Sequence, residues 1–157
     1  CRNILFLGGP KGVYTTGERL KGYRQALREA EIPFQKEYIT YGAYSTASGY
    51  ERVRHIIEAY PETDAIFAGA DTIAIGVLRA LRELNIPVPG QVSVLGFDNI
   101  MLSADLTPTL TTVAQPIYEM GNRAARKLLA LIGGDPEGAK SECMSTTLVQ
   151  RESTRSR

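Results

Sequence analysis

The sequence predicts an α/β fold in which a mostly parallel sheet lies between helices on its two faces. Short apolar runs alternate with segments of helical periodicity through most of the chain, and parallel strands require such crossovers between them. Two of the helical segments end on the same punctuation, Glu31-Ile32-Pro33 and Asn85-Ile86-Pro87, because proline neither donates to a helix nor tolerates a helical residue before it. The run Val92–Phe97 is apolar almost without alternation, the pattern of a strand covered on both faces.

Taken in order, Ile4 to Leu7 is the first strand, closed by Gly8-Gly9-Pro10. Leu20, Tyr23, Leu27 and Ala30 then fall on one helical face, with Thr15 and Glu18 spaced as a capping box before it. Glu37 to Thr40 reads as the second strand. The next helix carries Tyr50, Val53, Ile56, Ile57 and Tyr60 behind a Ser48/Glu51 capping box. Ala65 to Ala68 is the third strand, and Thr72 to Leu84 a helix apolar almost all round, which predicts two buried faces. After the fourth strand, Val92–Phe97, the rhythm changes: residues 98–110 hold no clear element and Thr111 to Ala114 is a short strand. Ile117, Met120, Ala124, Leu128, Leu131 and Ile132 mark a long helix that Gly133-Gly134-Asp135-Pro136 breaks. Ser145 to Val149 is a last strand, followed by a polar tail, 152–157, expected to fray.

The 157 residues suit one domain with a substantial core. Eighteen basic and seventeen acidic residues are spread along the chain, so no basic patch marks a nucleic-acid surface. No apolar run approaches the roughly 18 residues of a membrane span, which predicts a chain with no membrane partner. Cys1 and Cys143 lie far apart without metal-like spacing; a disulfide scaffold is not expected, a reducing compartment such as the cytoplasm fits, and neither a metal nor another cofactor is implied. The opening at Cys1, with a strand under way two residues later, reads as part of something longer.

In an open parallel sheet the ligand crevice lies beyond the carboxyl ends of the strands, where loops converge and helix N-termini present free N–H groups. At those ends this sequence places Tyr14 and Arg19, then Tyr41 to Tyr44, Asp71, Asp98 with Asn99, and Gln115. Fork donors, paired acceptors and flat rings suit a polyhydroxylated or nitrogen-rich ligand. Each residue also has a plainer reading. Asp71 precedes a helix and could be its N-cap. Arg19 could be a solvated first-turn residue, although a cation there opposes the helix dipole. Asp98 could start a turn, Tyr44 could pack a loop, and Gln115 could be a helix-entry residue. His55, mid-helix beside Ile56, reads as structural or exposed.

The stretch Val92-Ser93-Val94-Leu95-Gly96-Phe97-Asp98-Asn99, then Thr107 to Val113 and Gln115-Pro116, resembles the effector domain of the lactose/galactose repressor family. Glu18-Arg19-Leu20-Lys21-Gly22-Tyr23 and Ala70-Asp71-Thr72-Ile73-Ala74-Ile75-Gly76 are similar to two further blocks of that family, in the same order. The resemblance implies a Rossmann-like three-layer sandwich, one lobe of a type I periplasmic-binding-protein-like fold, with the effector held in a cleft between two hinged lobes. Residues 1–115 would form the C-terminal lobe, 116–139 a helix and loop crossing to the other lobe, and 140–151 a returning strand. By motif position Arg19, Asp98 and Gln115 would hydrogen-bond the effector, Tyr44 would line the pocket, and Asp71 would adjoin it. Where many sugar-responsive members have Asn, this chain has Ala70, one polar contact fewer. The resemblance further implies a homodimer through Thr72–Leu84 and Ile100–Leu106, which would account for that helix's second apolar face. Operator DNA would be bound only through a helix-turn-helix that this chain does not contain.

The functional expectation is therefore the effector-sensing part of a transcription repressor, responding to a small sugar-like or purine-like molecule. A periplasmic solute-binding protein of a transporter is the alternative, and the Thr107–Val113 block leans against it. An enzyme is not expected: Gly8-Gly9-Pro10-Lys11-Gly12 lacks phosphate-loop spacing, no serine elbow occurs, and no histidine lies near Asp71 and Asp98 to act as a base.

Overall fold

The computed structural model describes residues 1–155, and its strands and helices alternate as β1 (Ile4–Gly8), α1 (Tyr14–Glu29), β2 (Ile39–Tyr41), α2 (Thr46–Ala59), β3 (Ala65–Ala68), α3 (Asp71–Glu83), β4 (Ser93–Asp98), β5 (Thr111–Ala114), α4 (Ile117–Ile132) and β6 (Thr147–Val149). Single 3-10 turns occupy Lys36–Tyr38, Met101–Ala104 and Pro136–Ala139. The six strands lie in the order β2-β1-β3-β4-β5-β6. β1 runs parallel to both β2 and β3, and β3 parallel to β4, with Phe6 opposite Ile39 and Phe67, and Phe67 opposite Leu95.

The topology decides which face each helix covers. α1 carries the chain from β1 out to β2, whereas α2 and α3 carry it back the other way, so right-handed crossovers put α1 on one face and the other two opposite. Alternate side chains of β1 follow suit. Phe6 packs with Leu20, Tyr23 and Leu27 of α1, while Leu5 and Leu7 join Val53, Ile56, Ile73 and Val77 of α2 and α3. Three layers result, as the apolar pattern predicts.

Local chemistry departs from expectation at three helix ends. Thr15 and Glu18 do not cap α1, which already begins at Tyr14 after an uncapped Val13, so Arg19 is its sixth residue, past the first turn. Ser48 and Glu51 do not cap α2 either; Ser45 accepts the Ser48 N–H instead, because that helix starts three residues before the spacing implies. Asp71 is the first residue of α3 rather than its cap. At the C-terminal ends of α1 and α3, Glu31 and Asn85 adopt left-handed backbone with φ of 54° and 56°. Ile32 and Ile86 then donate back to Leu27 and Leu81, so the left-handed residue ends each helix before the proline is reached.

The second apolar face of the third helical segment also has a different explanation. α3 packs closely on α2 in the same chain: a Cβ on Gly76 would stand 2.6 Å from the Tyr50 backbone nitrogen. Ile73, Ala74, Val77, Ala80 and Leu81 are all fully buried without a second chain.

The chain divides into two compact units, residues 1–113 with the segment from Leu148 onward, and Ala114–Thr147. In the first, the segment after β6 is not frayed as far as Arg155. Ser153 is fully buried, donating to Val94 O at 2.6 Å and accepting the Thr111 N–H at 2.8 Å. The last two residues of the expected tail, 156 and 157, lie outside the described residues. In the second unit, α4 buries none of its residues, and Ile117, Leu128, Leu129 and Ile132 are exposed. Among the described residues no helix is long and apolar enough to cross a membrane.

Candidate functional site

The carboxyl ends of β1, β3 and β4 converge on Arg19. α1 follows the Gly8–Val13 loop and brings the Arg19 guanidinium to the neighbouring strand ends. There it donates to the Gly69 carbonyl just after β3 and to Asp98 Oδ1, at the end of β4, at 3.2 Å. Its carbon Cζ lies 3.9 Å from the centroid of the Phe97 ring, a cation–π distance. The pair is sheltered without being closed, with 14% of the Arg19 side chain and 27% of the Asp98 side chain exposed. A fork donor and a carboxylate so fixed, with a flat ring beneath, can exchange hydrogen bonds with vicinal hydroxyls or ring nitrogens.

Asp98 ends β4 in unusual backbone. Its φ is +119° and that of Asn99 is +55°, so two consecutive non-glycine residues lie in the left-handed half of conformational space. Such strain persists only where neighbours over-determine it. Here Asn99 donates its N–H to Thr112 Oγ1 at 3.3 Å and accepts Arg151 Nη2 at 2.8 Å, while Arg151 Nη1 also holds Leu110 O at 2.7 Å.

Tyr44 stands on the loop after β2, beside the same helix. Its hydroxyl is 2.7 Å from Thr16 Oγ1 and 3.2 Å from Thr15 Oγ1, and its ring covers Gly9 so closely that a Cβ there would be 2.5 Å from Cε2. Tyr44 is 36% exposed.

Asp71 is not a surface residue of this site. Its side chain is fully buried, with Oδ2 accepting the Ile100 N–H at 2.9 Å and the Ser103 hydroxyl at 2.6 Å, and Oδ1 accepting the Thr112 hydroxyl at 2.6 Å. Its room comes from Gly96, since any side chain at that place in β4 would collide with the carboxylate. Asp71, expected to adjoin the effector, turns inward: it fastens the segment after Asp98 to α3, and both of its oxygens are engaged. Gln115 belongs to the second unit, where it lines a hollow of about 410 Å³ with Pro116, Met120, Arg123, Lys127 and Glu142.

Sequence reasoning missed Phe97, Thr16, Gly69 and Arg151. Phe97 was legible as a ring next to an acidic strand end. The Gly69 carbonyl carries no signal, because backbone acceptors look alike at every residue.

The chain matches the family of periplasmic binding protein-like domains over residues 1–154. It is 36% identical over 152 residues to the HTH-type transcriptional repressor PurR of Photorhabdus laumondii, a match that covers 97% of this chain and 45% of the repressor. Among solved structures, the transcriptional regulator CelR–cellobiose complex superposes with a TM-score of 0.88 at 33% identity, covering 97% of this chain and 46% of that one. The lac repressor dimer bound to operator and the anti-inducer ONPF superposes with a TM-score of 0.89 at 25% identity, covering 99% and 53%. The chain thus spans about half the length of the relatives it matches.

Proposed function

Since the chain belongs to the periplasmic binding protein-like family and its homologues are LacI-type transcriptional repressors, we propose that it is the C-terminal part of an effector-sensing domain in a repressor of that type. One observation carries the reading. Arg19 and Asp98, 79 residues apart, meet at the carboxyl ends of the strands above Phe97 and are already oriented for a small polar ligand. The proposed effector is sugar-like or purine-like, with Tyr44 as a lining ring. CelR, solved with cellobiose, is the relative that motivates the sugar-like class.

The other contacts would come from an N-terminal lobe, against which the exposed apolar side of α4 would pack. Domain closure around the effector would change how two DNA-binding heads are held in a cytoplasmic homodimer. A coupling of about 1–3 kcal/mol changes operator affinity roughly 5- to 150-fold, enough for a switch. The dimer would use Ile100–Leu106, where Met101 is 88% exposed, together with the Thr72–Leu84 helix. The reading assigns no chemical step to the chain: it uses Asp98 together with Arg19 as a hydrogen-bonding pair for the effector, and Asp71 is buried.

The test is Arg19→Ala in the repressor carrying both lobes, titrated calorimetrically with cellobiose, D-ribose and adenine. A charge-assisted fork contributes about 1.5–3 kcal/mol, so binding of whichever compound is recognised should weaken about tenfold or more. Arg19→Lys, which keeps the charge and loses the fork, should recover only part. Affinity unchanged in Arg19→Ala defeats the assignment.

A further inference from the structure

Beneath the Tyr44 loop lies a second arginine that the effector reading does not use. Arg52, on α2, donates through Nε to Ser48 O at 3.0 Å, and through Nη1 to Gly8 O at 2.8 Å and to both Thr40 O and Thr40 Oγ1 at 3.4 Å. Among the described residues no carboxylate forms an ion pair with it, and Nη2 is a buried side-chain nitrogen without a hydrogen-bond partner. Burial without a counter-ion pushes the guanidinium pKa below its ordinary value.

Holding a part-buried charge without a counter-ion carries a desolvation cost. What Arg52 does hold is the junction from which the site's loops spring. Gly8 ends β1, Thr40 lies in β2, and Ser48 is in the first turn of α2. Gly42 makes room directly above: a Cβ there would stand 2.5 Å from Ser48 Oγ and 2.9 Å from Arg52 Nε. One residue past Gly8, Gly9 accepts the Gly42 N–H at 3.4 Å and lies under the Tyr44 ring. The loop that carries Tyr44 is thus rooted on the guanidinium at both ends, through Thr40 and Ser48, and tied to Thr16 of α1 by the Tyr44 hydroxyl between them.

We propose that Arg52 is the positioning residue of the site, setting the spacing of the Gly8–Gly9 and Tyr41–Tyr44 loops and through it the pose of the Tyr44 ring. It rests on the effector reading only in treating Tyr44 as a lining ring; the geometry it predicts is independent of any ligand. A methionine would fill much of the volume but leave Gly8 O, Thr40 O and Ser48 O without their shared donor. A lysine would keep the charge and reach one or two of the three.

The test uses the chain labelled with 3-fluorotyrosine and followed by fluorine NMR. Eight tyrosines give eight signals, and Tyr44→Phe identifies one of them. In Arg52→Met the Tyr44 signal should move most of the way to the position of free fluorotyrosine, and in Arg52→Lys part of the way. The Tyr23 signal, from a ring whose hydroxyl is held by Ile4 O at 2.7 Å on α1's side, should stay in place in both. A Tyr44 signal that does not move, or one that moves only together with Tyr23 and the rest, overturns the proposal in favour of a purely structural role. Should Arg52→Met not fold, Arg52→Lys decides by the same comparison. Cellobiose, D-ribose and adenine added to the wild-type repressor carrying both lobes, labelled in the same way, test the other reading. If none of them moves Tyr44 while the Arg52 variants do, the effector reading is weakened and the positioning role upheld.

Discussion

Asp71→Ala would remove the acceptor on which three donors converge. The carboxylate is fully buried and receives the Ile100 N–H at 2.9 Å and the hydroxyls of Ser103 and Thr112 at 2.6 Å each, and both hydroxyl-bearing residues are themselves fully buried. A stranded buried donor costs about 1–3 kcal/mol, and the two hydroxyls can rotate to recover part of that, so the expected loss is about 3–5 kcal/mol. A domain of this size is stable by about 5–15 kcal/mol, which makes that a large share. Asp71→Asn keeps the volume and one carbonyl oxygen for the Ile100 N–H, and its amide can donate to a hydroxyl turned to accept, so it should cost about 1–2 kcal/mol. Urea unfolding of the chain followed by far-ultraviolet circular dichroism reads both numbers, provided the slope m stays constant. Asp71→Ala within about 1 kcal/mol of wild type at unchanged m would refute the claim that this network fastens the Asn99–Asp105 segment to α3.

Three further outcomes are expected. Ser153→Ala breaks a buried pair of hydrogen bonds to Val94 and Thr111 and should cost about 1–3 kcal/mol in the same assay, with proteolysis after Arg151 made faster; a neutral result would return residues 152–155 to the status of a loose tail. Gly76→Ala should cost about 1–3 kcal/mol of stability by overpacking, read as a lower urea midpoint, although alanine is the better helix former, because the new methyl meets α2 backbone rather than a yielding side chain; a gain in stability would show that the two helices are not in close contact. Burial holds the hydroxyls of Tyr23 and Tyr38 protonated in the fold, with pKa values pushed up to about 12 from an ordinary 10. The stabilisation is complete below pH 10 and is lost as pH rises from 10 through about 12, since the unfolded chain releases those protons first; Tyr23→Phe should flatten the fall seen in alkaline melts, and an unaltered profile would exclude Tyr23 as a cause.

Several features of this protein were legible before any coordinates. The bounds of α4, Ile117–Ile132, follow from apolar spacing kept over four turns and a glycine pair after it, and β3 and β5 follow from short apolar runs between turn residues. These are local properties, in which side-chain periodicity and backbone propensity act on neighbours in the chain. Helix starts were less legible, since Thr15, Ser45 and Ser48 are equally suitable caps by chemistry and only packing against the sheet selects which turn begins the helix.

What each strand end presents was written in the sequence: Arg19, Tyr44, Asp71 and Gln115 all come after strands, and Asp98 ends one. Which of them face outward was decided by the tertiary structure. Asp71 turns inward because Gly96, 25 residues away on β4, leaves a space of its size and Ser103 and Thr112 fill it with donors. Arg19 turns to the rim because Gly69 O, Phe97 and Asp98 from two other strand ends are there to receive it. Polarity and spacing along the chain tell which residues can hydrogen-bond, but the partner that makes burial of a charge tolerable is supplied by segments far away in sequence, and only folding brings them within three ångströms or so.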